Sequence, residues 1–272
     1  MDRPPELLTS PSNPLIKALK GLERKKERAE TGLFLAEGAR IVGEGLARGW
    51  QAETVVIAAD MAGRLQIAEL ARQASKAGAR VVHASERLMS KITQKDNAQS
   101  VVAAFRQRHL PLTELALPKD RAALYIALYE VRDPGNLGTI LRTADCAGAS
   151  GVILLGTCCD PYSFEAVRAS MGSIFDVPFS AADFSSFNAW RNSKGLSLIA
   201  ASVNGTARHD TAAFQRPSVI LMGNEQAGLP AEVEAACDQL TLIPMRGGAD
   251  SLNLAQAAAI MTYEAWRQRG YA

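Results

Sequence analysis

The chain has 272 residues, of which 47% are hydrophobic and 21% charged, and its formal net charge is +2. That balance excludes a disordered or fibrous protein and allows a sizeable core, divided at this length into two domains. No run reaches the ~18 apolar residues of a membrane span, and Met1-Asp2-Arg3-Pro4-Pro5-Glu6 lacks the apolar stretch of a signal peptide, so a cytoplasmic protein is expected.

The charge is unevenly placed. Residues 1–108 hold 18 Lys and Arg against 12 Asp and Glu, while the remainder holds 12 against 16. A basic front half points to a surface that faces a polyanion, although solvated helix faces account for the charge equally well. Cys146, Cys158, Cys159 and Cys237 show no CxxC spacing, and His83, His109 and His209 are scattered. Reduced incidental thiols are therefore expected, with no metal site and no histidine-centred mechanism.

In chain order, residues 13–30 read as one amphipathic helix. Leu15, Leu19 and Leu22 form its apolar stripe, Ser12 or Asn13 is the cap, and Pro14 takes the first helical position. Lys17, Lys20, Arg24, Lys25, Lys26 and Arg28 crowd the remaining faces, enough to track a phosphate backbone. Strands then follow over 33–36, 54–58, 80–83 and 101–105, alternating with helices over 38–48, 65–77 and 86–91. This predicts a compact three-layer α/β domain over 1–108. Pro111 and Pro118 mark 109–120 as a linker.

A second α/β domain is predicted over 121–272. Its strands are expected over 124–129, 151–155, 196–201, 218–222 and 240–243, and its helices over 137–147, 164–171, 184–192 and 251–267. Near-continuous apolar strands imply a parallel sheet covered on both faces.

Three segments of this half stand at strand ends and lead into helices. The first is Asp133-Pro134-Gly135-Asn136 through Arg142, with Asn136 read as a helix cap and Arg142 six residues on, about two turns further along the helix. The second is Met222-Gly223-Asn224-Glu225-Gln226-Ala227-Gly228-Leu229, whose glycines let a ligand approach the backbone. The third runs from Ile243-Pro244-Met245 to Ser251-Leu252-Asn253, with Asp250 or Ser251 expected to cap the last helix. Glycines, amides and charges at successive strand ends suit a ligand site in an open α/β sheet. Each segment alone reads equally well as an ordinary loop and cap. None is a Walker A loop or a GxGxxG fingerprint, so a nucleotide-dependent oxidoreductase is set aside.

Taken in order, these motifs resemble those of the SpoU/TrmH-type RNA ribose 2′-O-methyltransferases of the SPOUT superfamily. Arg168-Ala169-Ser170-Met171-Gly172-Ser173 is also similar to that family. Ser12-Asn13-Pro14-Leu15-Ile16-Lys17 and Phe34-Leu35-Ala36-Glu37-Gly38 resemble the ribosomal-protein-like substrate-binding domain of its rRNA members. The resemblance implies a parallel-sheet domain with a deep trefoil knot, which ordinary chain-topology rules would reject. It also implies S-adenosylmethionine as cofactor, a homodimer, and methylation of a ribose 2′-hydroxyl, in 23S rRNA before tRNA. A catalytically silent RNA-binding or assembly protein of the same fold is the remaining alternative.

By the same resemblance, Asn136, Arg142, Glu225, Ser251 and Asn253 are the catalytic and structural polar positions. Gly223, Ile243 and Leu252 hold the cofactor, with Met222, Gly228 and Met245 adjacent. Two departures leave cofactor contacts and dimer packing open: Leu254-Ala255-Gln256-Ala257 replaces a Val-Ser-Val-Ala-like run, and Gln226 stands where glycine is common.

Overall fold

A computed structural model describes residues 6–93 and 99–271; residues 1–5, part of the stretch expected to lack a signal peptide, lie outside that range. The first part of the chain runs β1 (Glu6–Leu8), α1 (Pro14–Gly21), α2 (Lys25–Thr31), β2 (Leu33–Glu37), α3 (Ala39–Ala47), β3 (Ala52–Ala58), α4 (Leu65–Lys76), β4 (Arg80–Ala84), α5 (Glu86–Thr93) and β5 (Val101–Arg106). The middle continues with β6 (Leu124–Tyr129), α6 (Pro134–Cys146), β7 (Gly151–Leu155), α7 (Phe164–Ala169), β8 (Phe179–Ala182) and α8 (Phe184–Ser193). The last part holds β9 (Ser197–Ala201), β10 (Ala207–Arg208), β11 (Ser218–Met222), α9 (Ala231–Ala235), β12 (Gln239–Leu242) and α10 (Leu254–Gln268). These elements make two compact units, Met1–Arg108 with Tyr162–Phe175, and His109–Pro161 with Asp176–Ala272.

The first unit is built on a five-stranded sheet of order β1-β4-β3-β5-β2, parallel except at β5, which is antiparallel to both its neighbours. Alternation along the strands divides the core. Leu35, Val56, Val82 and Val102 pack with Ile16, Leu19 and Leu22 and with Leu88, Met89 and Ile92 of α5. Phe34 and Phe105 join a second, aromatic cluster with Trp50, Tyr162 and Phe175.

The single helix expected over 13–30 is two helices. α1 ends at Gly21, and Arg24 has extended backbone (φ −83°, ψ 130°) before α2 begins. Arg28 explains the break, and its place corrects the expectation that it faces RNA. It is only 4% exposed, and its guanidinium donates to the Leu22 carbonyl at 2.8 Å and the Glu23 carbonyl at 2.6 Å. Carbonyls at a helix end need such partners. Arg28→Ala is expected to lower stability by about 1–3 kcal/mol, because buried acceptors lose a charged donor; urea unfolding of variant and wild type measures it.

The second unit carries a seven-stranded sheet of order β10-β12-β9-β11-β6-β7-β8, parallel throughout. The strands of its centre, β6, β7 and β11, are almost wholly buried. Phe187 and Trp190 of α8 and Val233 of α9 cover one face, against Tyr125, Leu198 and Val219. Helices α6 and α10 pack together, α10 against β11 and α6 against β7.

The strand order reverses at β6. The chain steps outward through β7 and β8, then returns to lay β11 between β6 and β9. A trefoil knot requires the segment after β12 to cross back from that side of the sheet, and α10 lies beside α6. The crevice at such a reversal, beyond the carboxyl ends of the strands, is where open α/β sheets bind ligands.

Candidate active site

The first segment leaves β6 through Glu130, whose φ of +50° is unusual for a residue with a side chain. Asp133, not Asn136, caps α6: its carboxylate accepts from the Asn136 N–H at 2.8 Å, and Pro134 follows at the first helical position. Asn136 is instead inside the first turn and buried, at 9% exposure. That frees its amide for a contact with the loop that follows β11, the strand paired with β6.

The second segment closes on itself. Asn224 and Gly228 exchange backbone hydrogen bonds of 2.9 and 3.0 Å. The Asn224 side chain accepts from the Gln226 and Ala227 N–H groups and donates to the Glu130 carbonyl at 2.7 Å, so it ties this loop to the first segment. Gly223 is required by this closure, because a Cβ there would lie 2.5 Å from the Gly228 carbonyl carbon.

Glu225 is the hub. Its carboxylate accepts from the Arg132 and Asp133 N–H groups, both at 3.1 Å, and from Asn136 Nδ2 at 3.2 Å. Asn253 of the third segment then donates from Nδ2 to Asn136 Oδ1 at 2.9 Å. Its own Oδ1 caps α10 by accepting from Ala255 and Gln256 N–H. The cap of the last helix is thus Asn253, and not Asp250 or Ser251. Glu225, Asn136 and Asn253 form one chain of hydrogen bonds through all three segments.

Burial pushes the Glu225 carboxyl up, but the amides of Arg132, Glu225 and Asp133 and the Asn136 side chain outweigh it and hold the group below its ordinary value. A carboxylate that is already ionised and whose lone pairs are committed is a weak proton acceptor. The nearby thiols are no better suited. Burial, and then the charges of Cys158, Glu225 and Asp133, push Cys159 up to about 12. Cys158 is also raised by burial. All four cysteines are free thiols.

The other expected site residues make no hydrogen bond with this hub among the described residues. Arg142 is exposed on α6 and makes no side-chain hydrogen bond or ion pair among the described residues. Arg132, which pairs with Glu130, and Arg246 of the third segment are also exposed. Ser251 is exposed and is not joined to the Glu225 chain of bonds. Met222 and Gly223 are buried at the end of β11, Gly228 is exposed, and Ile243 is half-buried. Met245 and Leu252 expose 45% and 38% of their surface. Lys17, Lys20, Arg24, Lys25 and Lys26 are exposed on and between α1 and α2, where Arg24 pairs with Glu27 and Lys26 with Glu30. Sequence reasoning missed Asp133 as the cap and Asn224 as the tie between loops. An Asx turn followed by a glycine was the available signal for Asn224. Among the described residues no group of three or more His, Cys, Asp or Glu is placed to hold a metal ion.

A parallel sheet with a reversal at β6, three loops joined by hydrogen bonds and a return of α10 beside α6 defines an open α/β protein with a ligand crevice at the strand ends. Residues 123–263 match the SpoU rRNA Methylase family, and residues 13–103 match the MRM3-like substrate binding domain. The chain belongs to the SpoU family. It is similar to an rRNA methyltransferase from Sinorhizobium meliloti solved with AdoMet bound, with 43% identity and a TM-score of 0.90 over 97% of this chain and 98% of that one. It is 31% identical to the 23S rRNA (uridine(2479)-2′-O)-methyltransferase of Streptomyces viridochromogenes, over 93% of this chain and 88% of that protein. The tRNA (cytidine(34)-2′-O)-methyltransferase of Beijerinckia indica is 34% identical, but the match covers only 53% of this chain and 91% of that protein.

Proposed function

We propose that the protein transfers a methyl group from S-adenosylmethionine to a ribose 2′-hydroxyl of 23S rRNA. The observation that carries this reading is the Glu225–Asn136–Asn253 chain of bonds, which ties three loops together, with Arg142 exposed further along α6 and without a side-chain partner among the described residues. The tRNA-modifying relative matches only about half of this chain, so the first unit favours the larger ribosomal substrate.

The third segment suits the cofactor. The backbone of residues 245–252 makes no hydrogen bond to any described residue, Met245 and Leu252 offer apolar surface, and Gly247 and Gly248 face open space. Free polar backbone beside apolar side chains fits a nucleoside that also carries an amino-acid tail. When bound, the cofactor supplies an electrophilic methyl on a sulfonium. Met222, Gly223, Gly228, Ile243, Met245 and Leu252 hold it in this reading, and Ser251 shapes the pocket.

Arg142 clamps a phosphate of the target and stabilises the developing alkoxide on the attacking 2′-oxygen. Asn136 positions that region from within the chain of bonds, because its carbonyl oxygen and one N–H are already engaged. Much of the rate enhancement comes from positioning the hydroxyl in line with the methyl. Gly223→Ala should separate the Gly223 and Gly228 backbones and weaken S-adenosylmethionine binding at least tenfold by calorimetry. An unchanged Kd would remove this loop from the pocket.

Lys17, Lys20, Arg24, Lys25 and Lys26 form the RNA-facing surface of the first unit. Joint replacement of Lys25 and Lys26 by Glu is expected to weaken RNA binding and flatten its salt dependence, with cofactor affinity unchanged. An unaltered salt slope argues against this surface. The protein works as a cytoplasmic homodimer in this reading. Support for the dimer comes from Ile260 and Tyr263, which leave apolar area exposed on α10. Light scattering should return twice the 29.1 kDa of one chain.

A further inference from the structure

The sequence places Tyr162–Phe175 in the methyltransferase half, between β7 and β8, and the methylase family match runs through it. The structure builds it into the first unit. We propose that this segment is an integral part of the RNA-binding unit and that RNA binding depends on it. The proposal rests on the reading of the first unit as the RNA-facing one.

The segment completes a core. The Phe175 ring lies 5.0 Å from Phe105 and 5.2 Å from Trp50, and the Tyr162 ring lies 4.6 Å from Phe34. Phe34, Phe105 and Tyr162 are at most 2% exposed. Gly45 of α3 makes room for this packing, because a Cβ there would sit 2.9 Å from both the Phe105 and Phe175 rings. Removing the segment would open one face of the five-stranded sheet, with its aromatic side chains, to water. Burial of such area dominates the stability of a domain this small.

Polar contacts fix the segment in one register. The Tyr162 hydroxyl donates to the Arg108 carbonyl at 2.6 Å and accepts from the Arg108 N–H at 2.8 Å. Trp50 Nε1 donates to the Phe175 carbonyl at 3.0 Å, and Arg40 donates to the Met171 carbonyl at 3.2 Å. Arg168 pairs at 3.1 Å with Glu37, a carboxylate on β2 that is only 5% exposed. Both ends and the middle are held, so the segment is structural to this unit and not a loop resting on it. The chain therefore passes between the units three times, after Arg108, Pro161 and Phe175.

The test uses the full-length chain with Trp190→Phe and Trp266→Phe, which leaves Trp50 as the one tryptophan. In that background, Phe175→Ala should lower the midpoint of the Trp50 unfolding transition and raise the Kd for a 23S rRNA fragment at least tenfold. The Kd for S-adenosylmethionine should stay within twofold. Tyr162→Phe, which removes only a hydroxyl, should shift both readouts in the same direction by less. Lys25→Glu with Lys26→Glu is the parallel arm. If that pair weakens RNA binding and the segment variants do not, the proposal is overturned while the RNA reading of the unit stands. If neither arm weakens RNA binding, the RNA reading itself fails, and the Trp50 transition still decides whether the segment supports the unit. Loss of cofactor affinity with RNA affinity intact would return the segment to the methyltransferase unit.

Discussion

Arg142→Ala is expected to lower kcat by roughly 100- to 1,000-fold, the usual cost of removing one donor from a site of developing charge. Affinity for S-adenosylmethionine should stay within about twofold. The reason lies in where the side chain stands. Arg142 is exposed on α6, with no hydrogen bond or ion pair among the described residues, so its charge is available to a substrate and supports no internal contact. The variant should therefore keep the unfolding midpoint of the wild type, which separates a catalytic effect from a folding one. A guanidinium keeps its proton in proteins, so its work is donation and charge, not proton abstraction. Arg142→Lys retains the charge but not the planar fork, and should still lose at least tenfold. Near-normal turnover in the lysine variant, with unchanged pH dependence, would end the special role of the guanidinium.

Glu225→Gln should act on the fold and the site together. The carboxylate is the shared acceptor for Arg132 N–H, Asp133 N–H and Asn136 Nδ2. A glutamine side chain offers one neutral acceptor and turns an NH2 toward those donors. With allowance for partial exposure, the loss should be about 1–2 kcal/mol of stability. It should be accompanied by a large fall in kcat, because Asn136 and the start of α6 lose their anchor. The pH dependence has a definite sign. Hydrogen bonding holds the folded carboxyl below its unfolded value of 4.5 despite burial, which acts the other way. The folded state thus gains from the ionised form. That gain is complete above pH ~4.5 and is lost as pH falls through the lower folded value. Urea unfolding should show a constant gap between wild type and variant from pH 8 to about 5, closing in more acid solution. A gap that widens in acid would contradict this assignment.

Much of the fold was legible from apolar patterning. The bounds of β6, β7 and β11 match the expected 124–129, 151–155 and 218–222, because strands buried on both faces read as unbroken apolar runs between turns. The elements that escaped are short and marginal: β1, β8, β10 and α9 span five residues or fewer each. Helical periodicity over 13–30 survived the interruption after Gly21, since Leu15, Leu19 and Leu22 keep one stripe to that point, which hid the break. It also hid Arg28, whose place against two carbonyls is a tertiary fact.

The site was legible in its residue types but not in its geometry. Glu225, Asn136 and Asn253 were all singled out, yet their contacts span 89 and 117 positions of sequence. The caps lie a few residues from the expected positions, at Asp133 and not Asn136 and at Asn253 and not Asp250 or Ser251, because several polar residues compete at each helix start. The trefoil path came only through resemblance, since no local pattern encodes a threading. The placement of Tyr162–Phe175 was illegible for a related reason: its aromatic partners, Phe34, Trp50 and Phe105, all lie before Arg108 in the sequence.

The most direct measurement is methyl transfer to 23S rRNA purified from a strain lacking this gene, with the modified position mapped by protection of the adjacent phosphodiester from alkaline cleavage. The purified protein and S-adenosylmethionine are expected to restore a 2′-O-methyl ribose present in the parent strain, and Arg142→Ala is not. Methylation on a base, or cofactor binding without any transfer to 23S rRNA, would contradict it.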